Sequence, residues 1–428
     1  MTSDAVAAPY PDIPRRFAAL RNPNSRPYLF AAGLSMMADN IEHVITYWVL
    51  WQKFHSPALV GFEVISHWLP FLLLSVWFGS LAQRYDCRRL IQIAQALFML
   101  VSIAWGILFF TNSLQVWEAC VLLVLHGCAG ALWGPAEQVM LHDFVDRRDL
   151  PSAVRLNATF RSLGILFGPV VGSALLLGLG STWGIFANVL FYVPMTVVMA
   201  RTVFNGHTRD PSDFTPRARI GLLSSLRLLG ELRNNRLLVS MIVLAGLVAV
   251  TIGGALQVSM PTFANQLGAG SAGLAYGVLL LANGFGGVVG GFVLEATGIV
   301  KPSARAAIIA TAGFGLMTLV FALTGNYAVA IVTLVIGGVA NIASMSITQS
   351  IVQLEAPADN RGRVYGVYGV FASGLRTGNG ITLGVLGALM GIPYSIALCA
   401  AVLVIGTVVA GLFARSGHRG VAASENPA

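Results

Sequence analysis

Three ionisable residues lie within one helical turn of an otherwise apolar stretch, MMADNIEHVITYW, at 36–48. Glu42 and His43 follow Asp39 at positions i+3 and i+4. Tyr47 lies one turn further on, so the four side chains share one face of a helix. Carboxylates and imidazoles exchange protons, and burial or a second nearby carboxylate disfavours the charged form of a carboxylate. The pattern therefore predicts a site that loads and releases protons.

The same residues could instead form a buried structural network, with Arg161 or Arg376 as the charge partner of the acids. A charged group at the centre of a bilayer costs about 2.5–3.5 kcal/mol, so two carboxylates there must face a polar cavity or pair with other groups. The two hypotheses are compatible, because an arginine that approaches Asp39 in one state and leaves it in another would be a proton switch. Whether Asp39 or Glu42 carries the proton stays open.

Other polar residues inside apolar stretches are candidates for lining a substrate cavity. Glu63 and His67 share a helix face and fit either a gate or a solvated pair near the outer end. His126 fits a cavity or a hydrogen-bonded interior site, and Glu137 is expected to brace the inner end of its helix against the Arg147–Arg155 loop. Arg376 could attract an anionic group of a substrate as well as an acid. The cavity candidates are Tyr47, His67, His126, Gln257, Asn283, Asn341 and Asn379.

The spacing of nucleophilic and metal-binding side chains predicts neither an enzyme nor a metal centre. The four cysteines show no disulfide or zinc spacing, and no nucleophile–base pair stands out. The glycine-rich runs at 282–291 and 374–380 lack the G-x-x-x-x-G-K-[ST] pattern of a phosphate-binding loop. We therefore expect no cofactor, with a proton gradient as the energy source.

The elements that position these residues are predicted to be membrane-spanning helices. The chain has 428 residues, of which 56% are hydrophobic and only 10% are charged. Its mean hydropathy is +0.75. A soluble protein carries about 25% charged residues, so this composition is typical of an integral membrane protein.

Runs without charged residues indicate the number of spans. Four such runs are each long enough for two helices of about 20 residues joined by a turn. Four further apolar stretches in the first third of the chain each fit one helix, so the sequence predicts twelve spans. The charge-free runs lie within 161–201, 236–295, 305–355 and 376–415, and the single stretches near 28–51, 58–82, 90–111 and 115–141.

The basic residues predict the orientation of these spans. Arginines fall in alternate loops, among them Arg84, Arg88 and Arg89 after the second span, whereas the intervening loops carry only Lys53. By the positive-inside rule, both termini and the long 204–236 loop are predicted to be cytoplasmic. The net charge of +8 is then a topology signal and predicts no nucleic-acid partner.

A weak internal repeat predicts two halves of six helices each. The stretch GSLAQRYDCRR at 79–89 corresponds to GGFVLEATGIVK at 290–301, so Gly79 matches Gly291 and Gln83 matches Glu295. The loop between the halves ends in an apolar stripe typical of an amphipathic helix on the inner leaflet. The predicted domains are an N-terminal tail 1–27, a bundle 28–203, the linker 204–236, a second bundle 237–414 and a C-terminal tail 415–428.

These motifs resemble those of the major facilitator superfamily. Its signature between helices 2 and 3 reads G-x-L-A-D-R-x-G-R-R, and Gln83 stands here for the acid that makes the charge contact bracing this loop against the other half. Asp86 replaces the second glycine of the signature. The matching residues are Gly79, Leu81, Ala82, Arg84, Arg88 and Arg89.

A second stretch, GILFGPVVGS at 164–173, resembles the exporter-associated pattern of that superfamily through Gly164, Gly168, Pro169 and Gly172. The preceding segment, GPAEQVMLHDFVDRRDLPSAVRLN, is similar to the branch that contains enterobactin exporters and macrolide-efflux proteins. The resemblance implies an all-α membrane fold of two pseudo-symmetric six-helix bundles and an export function. It does not identify the cargo.

These features together predict a secondary active transporter of a bacterial cytoplasmic membrane, which exports an amphipathic drug, siderophore or metabolite by alternating access in exchange for protons. Its expected partners are the cargo, protons and the lipid bilayer, and it is expected to act as a monomer. Two alternatives stay open. One is an importer or facilitator of a small polar or anionic solute, which Arg376 would contact, and the other is a non-transporting receptor or assembly protein with the same fold.

Overall fold

The structure, a computed structural model, describes residues 16–54, 57–208, 235–267, 272–298, 300–357 and 360–424, and these are almost entirely helical. The amphipathic helix predicted in the 204–236 linker falls within 209–234 and lies outside the described residues.

Local sequence signals set the ends of the helices in the first half. The Asp86 side chain accepts a hydrogen bond from the Arg88 N–H at 2.9 Å and caps one helix. The Glu118 side chain accepts one from the Gln115 N–H at 2.7 Å and caps the next. The helices are α1 Ala18–Arg21, α2 Ser25–Phe54, α3 Pro57–Arg84, α4 Cys87–Phe110, α5 Val116–Phe144 and α6 Leu150–Arg201.

Helix α6 is two antiparallel helices joined by a sharp turn. Its 52 residues would extend roughly 78 Å if straight, against about 30 Å for the apolar layer of a bilayer. Gly180 has a φ of 77°, which favours glycine and interrupts the helix. A Cβ on Gly184 would lie 3.3 Å from the Leu175 carbonyl group, so the chain folds back on itself there.

Two helices in the second half are interrupted. Residues 252–254 separate α7 from α8, and a 3₁₀ turn at Gly374–Arg376 separates α12 from α13. The last helix continues beyond the predicted boundary at 414. The helices are α7 Arg236–Thr251, α8 Ala255–Gln266, α9 Ala272–Thr297, α10 Ala304–Leu323, α11 Tyr327–Glu355, α12 Arg361–Ala372, α13 Thr377–Met390 and α14 Ile392–Ser424.

Within the described ranges, seven helical segments are long and apolar enough to cross a membrane by length and composition. The segment that contains α6 counts once although it turns at Gly180, and the interrupted helices are too short in their separate pieces to be counted. The seven segments are Ile65–Arg84, Cys87–Phe110, Val116–Phe144, Arg147–Arg201, Ala304–Leu323, Tyr327–Glu355 and Ile392–Leu412.

Buried apolar side chains form a shared core at one end of the molecule and separate cores beyond it. The shared core combines residues from 19–199 with residues from 238–368. A second core contains buried residues only from 41–185, and a third only from 252–403. The two halves are therefore packed together at the end that carries Arg88, called the arginine end below.

The first contact between the halves at the arginine end joins α3 to α12 and is called the Gln83 contact. A Cβ on Gly79 would lie 2.7 Å from the Cα of Gly366, so the two helices touch backbone to backbone. The Gln83 Oε1 accepts a hydrogen bond from the Gly362 N–H at 2.5 Å. The superfamily signature has an acid at this position, and here the side-chain amide of Gln83 makes the contact between the halves instead.

The arginines of this motif have different surroundings. Arg88 donates to Asp86 at 2.7 Å and to the Thr202 carbonyl at 3.0 Å, which ties the loop to the end of α6. Arg84 lies over the Tyr85 ring at 5.7 Å. Arg89 is exposed.

The second contact joins α9 to α6 and is called the Glu295 contact. Glu295 is 2% exposed and pairs with Arg155 at 2.9 Å. It also accepts hydrogen bonds from the Ser152 Oγ at 2.5 Å and the Phe17 N–H at 2.7 Å. Gly291, one turn earlier on α9, packs directly against Thr159.

Candidate functional site

Helix α2, which carries Asp39 and Glu42, packs on the glycine face of α6. A Cβ on Gly164 would lie 2.8 Å from the Met37 backbone nitrogen, and one on Gly172 would lie 3.2 Å from the Ile41 Cα. Gly168 faces Asn40 on the turn that also contains Pro169. Because the two backbones approach so closely, the rotation of α2 about its axis is set, and its acids point away from α6 towards α4 and α5.

His126 of α5 bridges the two acids. Its Nε2 lies 2.8 Å from Asp39 Oδ1 and its Nδ1 lies 2.9 Å from Glu42 Oε1. The three residues are 4%, 8% and 2% exposed for His126, Asp39 and Glu42 respectively. A neutral imidazole has one N–H and can donate to one carboxylate only, so two hydrogen bonds require an extra proton on the imidazole or on a carboxyl group. With that proton the triad has a net charge of −1, and without it −2.

The two acids differ in their second partners. The Ser102 hydroxyl of α4 donates to Glu42 Oε2, and the Asn188 amide reaches Ser102 at 3.5 Å. Asp39 Oδ2 instead faces His43 Nδ1 at 3.8 Å, and the His43 side chain is 19% exposed. Exposure therefore increases from Glu42 through His126 and Asp39 to His43, which orders the groups from the interior outwards.

His67 and Tyr47 complete the cluster. The ring centroid of His43 lies 4.8 Å from that of His67 and 5.2 Å from that of Tyr47. The His67 Nδ1 is buried and has no hydrogen-bond partner among the described residues. Donor atoms of Asp39, His43, His67 and His126 all lie within 4.8 Å of one another, so of the described residues these four could also gather around a metal ion.

The other polar candidates are dispersed. Glu63 is 2% exposed, which contradicts the solvated-pair interpretation of this residue. Asn379 is buried and donates to the Ala249 carbonyl at 2.7 Å, which ties α13 to α7. Asn283 and Asn341 are half-buried on α9 and α11. The side chain of Gln257 lies outside the described residues.

Arg161, suggested by the sequence as a charge partner of the acids, pairs with another residue. It donates to Glu137 at 2.8 Å, and its guanidinium lies 4.8 Å from the centroid of the Trp133 ring. Glu137 also accepts from the Asn157 amide at 3.0 Å, so it braces α5 against the body of α6 rather than against the preceding loop. In this conformation the partner of both acids is His126 instead of an arginine, and an arginine switch stays a prediction.

Arg376 lies at the interruption between α12 and α13. Its guanidinium is over the Trp68 ring, 4.8 Å from the centroid. Its Nε is buried without a hydrogen-bond partner in the described part of the chain. Trp68 in turn packs edge-on against His67, with ring centroids 4.5 Å apart, so the indole separates Arg376 from the histidine cluster.

Helices long enough to span a membrane, with ionisable groups paired between them, are typical of membrane transporters, and the comparisons identify such a protein. The human organic anion transporter MFSD10 (TETRAN) has a TM-score of 0.73 at 12% identity, covering 92% of this chain and 99% of that one. FucP in the outward conformation has a TM-score of 0.71 at 15% identity, covering 92% and 98%. The E. coli fucose:proton symporter FucP has a TM-score of 0.68 at 15% identity, covering 94% and 99%. The fold is that of the major facilitator superfamily.

The chain belongs to the transmembrane secretion effector family of that superfamily, whose sequence pattern matches residues 15–423. It is also similar to the Staphyloferrin A transporter of Staphylococcus aureus (strain NCTC 8325 / PS 47), at 24% identity over 151 residues. That match covers 35% of this chain and only 38% of the staphylococcal transporter. The superfamily indicated by the sequence motifs is thereby confirmed.

Proposed function

We propose that this protein is a secondary active transporter of a bacterial cytoplasmic membrane that exports an amphipathic organic small molecule in exchange for protons. The observation that carries the proposal is His126, held between Asp39 and Glu42 at 2.8 and 2.9 Å. This arrangement requires one proton more than two carboxylates and a neutral imidazole possess. This geometry supports the assignment of the cluster as the proton-binding site.

The proton occupancy of this cluster depends on access to water. Each protonation step changes the charge of a buried group by one unit, and burial disfavours the more highly charged state. A conformation that wets the cluster releases the proton, and one that buries it retains the proton. The ionisable groups that face the site are Asp39, Glu42 and His43 from α2, Glu63 and His67 from α3 and His126 from α5, with Arg376 beyond Trp68.

Alternating access is supported by the arrangement of the cores. The halves share one core and the Gln83 and Glu295 contacts at the arginine end, and they have separate cores beyond it. If the arginine end is cytoplasmic, as the positive-inside rule predicts, this conformation faces outwards. The similarity to FucP in the outward conformation is consistent with that assignment. Both contacts then open when the cavity turns to the cytoplasm.

The proposed architecture has twelve spans in two six-helix bundles, 28–203 and 237–414, joined by the 204–236 linker. Both termini are cytoplasmic and the protein acts as a monomer. The turn at Gly180 and the two interrupted helices of the second half raise the seven segments counted by length and composition to ten, and α2 and α9 are the remaining two proposed spans.

A siderophore or related metabolite is the cargo class that the relatives favour, because one of them is a Staphyloferrin A transporter. Import of a small anionic solute is the second candidate, favoured by the half-buried Arg376 and by the similarity to an organic anion transporter. The receptor alternative rested on the acid missing at Gln83, and the hydrogen bond from Gly362 removes that support.

The test is transport by the purified protein in vesicles with an imposed pH gradient. The cargo comes first from an accumulation screen of antibiotics and siderophores, with and without a protonophore. We expect Asp39→Asn with Glu42→Gln to reduce pH-driven transport at least tenfold, because neither amide can exchange a proton. Glu118→Gln is the control, since this carboxylate only caps the start of α5.

Unchanged pH-driven export by the double variant would contradict the proton assignment. Accumulation of the cargo in cells only when the protein is present would contradict export. Transport that follows a divalent cation instead of pH would replace the proton with a metal ion at the same cluster.

A further inference from the structure

The two interrupted helices of the second half meet at Arg376. A Cβ on Gly253, in the break between α7 and α8, would lie 3.0 Å from the Arg376 Cγ. Gly254 lies opposite the Asn379 amide, one turn into α13. In a bilayer, non-helical backbone is tolerated only where protein covers it or where it lines a cavity. In transporters such interruptions form binding sites for substrates and ions.

Arg376 has no acidic partner among the described residues, and of the buried acids Glu63 alone has neither an ion pair nor a partner for its Oε1 in those ranges. Four other buried acids are paired elsewhere. Asp39 and Glu42 share His126, and Glu137 and Glu295 pair with arginines of α6. The contact of Arg376 with Trp68 compensates only part of the free-energy cost of taking a cation out of water. Arg376 is therefore a cation without a direct anionic partner among the described residues, and the negative charge of Asp39, Glu42 and His126 lies beyond the Trp68 indole.

The backbone next to Arg376 adds to this positive character. Helix α13 begins at Thr377, directly after Arg376, and no side chain of its N-cap residue closes its first turn. The Thr377 hydroxyl is buried without a hydrogen-bond partner in the described ranges. The Thr377 N–H already donates to the carbonyls of Gly374 and Leu375, so the first turn of α13 contributes the positive end of the helix dipole, which favours an anion.

We propose that Arg376, Trp68 and the first turn of α13 bind the carboxylate of an organic anion, which is the cargo of the transport proposed above. A guanidinium binds a carboxylate through two parallel N–H···O bonds in its own plane. The guanidinium carbon lies 4.8 Å from the centroid of the Trp68 ring, and no described acid is paired with its N–H groups. The indole also offers an apolar surface for the body of the same molecule. This inference rests on the proposed function for the transport step but concerns binding alone.

The first measurement needs no cargo. Removing a buried charge that has no partner stabilises a fold, whereas removing one member of a buried pair leaves the other unbalanced. We therefore expect Arg376→Gln to raise the Tm of the ligand-free protein in detergent. Arg161→Gln is the matched control, because Arg161 also lies 4.8 Å from a tryptophan ring centroid but is paired with Glu137, and we expect it to lower the Tm.

The second measurement is binding of 2-naphthoate by the purified full-length protein, with the neutral 2-naphthamide and inorganic phosphate as comparison probes. We expect the carboxylate to bind at least tenfold more tightly than the amide. Arg376→Lys should weaken naphthoate binding about tenfold, because a lysine makes no bidentate contact, and Arg376→Gln should abolish the preference over the amide. Arg161→Lys should leave both the binding of naphthoate and its preference over the amide unchanged.

A lower Tm for Arg376→Gln, or equal binding of naphthoate and naphthamide, would overturn the proposal. Binding of phosphate in preference to the carboxylate would overturn the assigned ligand class. Loss of pH-driven transport is a separate result, since it tests Asp39 and Glu42. Carboxylate binding that persists without proton coupling would contradict the proposed function and leave this site in place.

Discussion

The Gln83 contact and the Glu295 contact occupy corresponding positions of the internal repeat, but different forces hold them. At the first, glycines bring α3 and α12 together backbone to backbone, and one neutral amide accepts a hydrogen bond from Gly362. At the second, a carboxylate that is 2% exposed pairs with Arg155 and accepts two further hydrogen bonds. The two contacts therefore lie at matching positions of the repeat but are formed by different interactions.

This difference predicts that the two contacts contribute unequally to the stability of the conformation that is closed at the arginine end. A neutral hydrogen bond contributes about 0.5–1.5 kcal/mol, and water replaces it easily when the contact opens. Breaking a buried ion pair by removing one partner costs about 3–5 kcal/mol, because the other charge stays buried. We therefore expect the Glu295 contact to control opening, and the Gln83 contact to contribute mainly through the fit of its glycines.

The largest expected effect is that of Arg155→Ala, which leaves Glu295 without its counter-ion. The closed conformation should lose about 3–5 kcal/mol, so the population open at the arginine end should rise roughly a hundredfold or more. Spin labels at the exposed Arg89 and Lys301, one in each half, would report this as a longer distance. Arg161→Ala is the control, since its ion pair with Glu137 lies within the first half. An unchanged distance distribution would contradict the prediction.

A smaller effect separates the two glycines. The Cβ added by Gly79→Ala would meet the backbone of Gly366 at 2.7 Å, and backbone cannot rotate away. The Cβ added by Gly291→Ala meets the side chain of Thr159, which can change rotamer. Overpacking costs about 1–3 kcal/mol, so Gly79→Ala should open the arginine end more than Gly291→Ala in the same distance measurement. An equal or reversed order would show that the backbone fit at Gly79 is not limiting.

The smallest effect is expected for Gln83→Ala. It removes the acceptor of one buried N–H at the start of α12, so the closed state should lose about 1 kcal/mol, the lower end of the cost of an unsatisfied buried donor. Gln83→Glu restores the acid of the superfamily signature and keeps an acceptor, so it should remain as closed as the native protein. If Gln83→Ala opens the arginine end as far as Arg155→Ala, the ranking of the two contacts is wrong.

The fold could be predicted from the sequence because its signals are local. Charge-free runs separate the spans, and the turn at Gly180 falls inside the run 161–201, which was predicted to hold two helices. The boundary between Leu323 and Tyr327 likewise falls inside the run 305–355. The motif glycines of α6 were recognised in the sequence, although their partner helix was not.

The site could be predicted only in part. Asp39, Glu42, His43, His67 and His126 stood out because ionisable residues are costly in lipid. Their pairing depends on the rotation of α2, which contacts with distant residues of α6 determine.

Ser102 and Trp68 carried no comparable signal in the sequence. A serine in an apolar helix ordinarily bonds its own backbone, and a tryptophan is common in any membrane span. The ion pair of Arg155 with Glu295 was missed for another reason, since the two residues are 140 positions apart.

The position of His126 also has a mechanical consequence. While the shared proton is present, both ring nitrogens attract a carboxylate and hold α5 against α2. When the proton leaves, one nitrogen presents a lone pair to an oxygen, and attraction becomes repulsion across a distance of less than 3 Å. If the protein exchanges protons as proposed, departure of a single proton exerts a force between two helices and converts a chemical gradient directly into displacement.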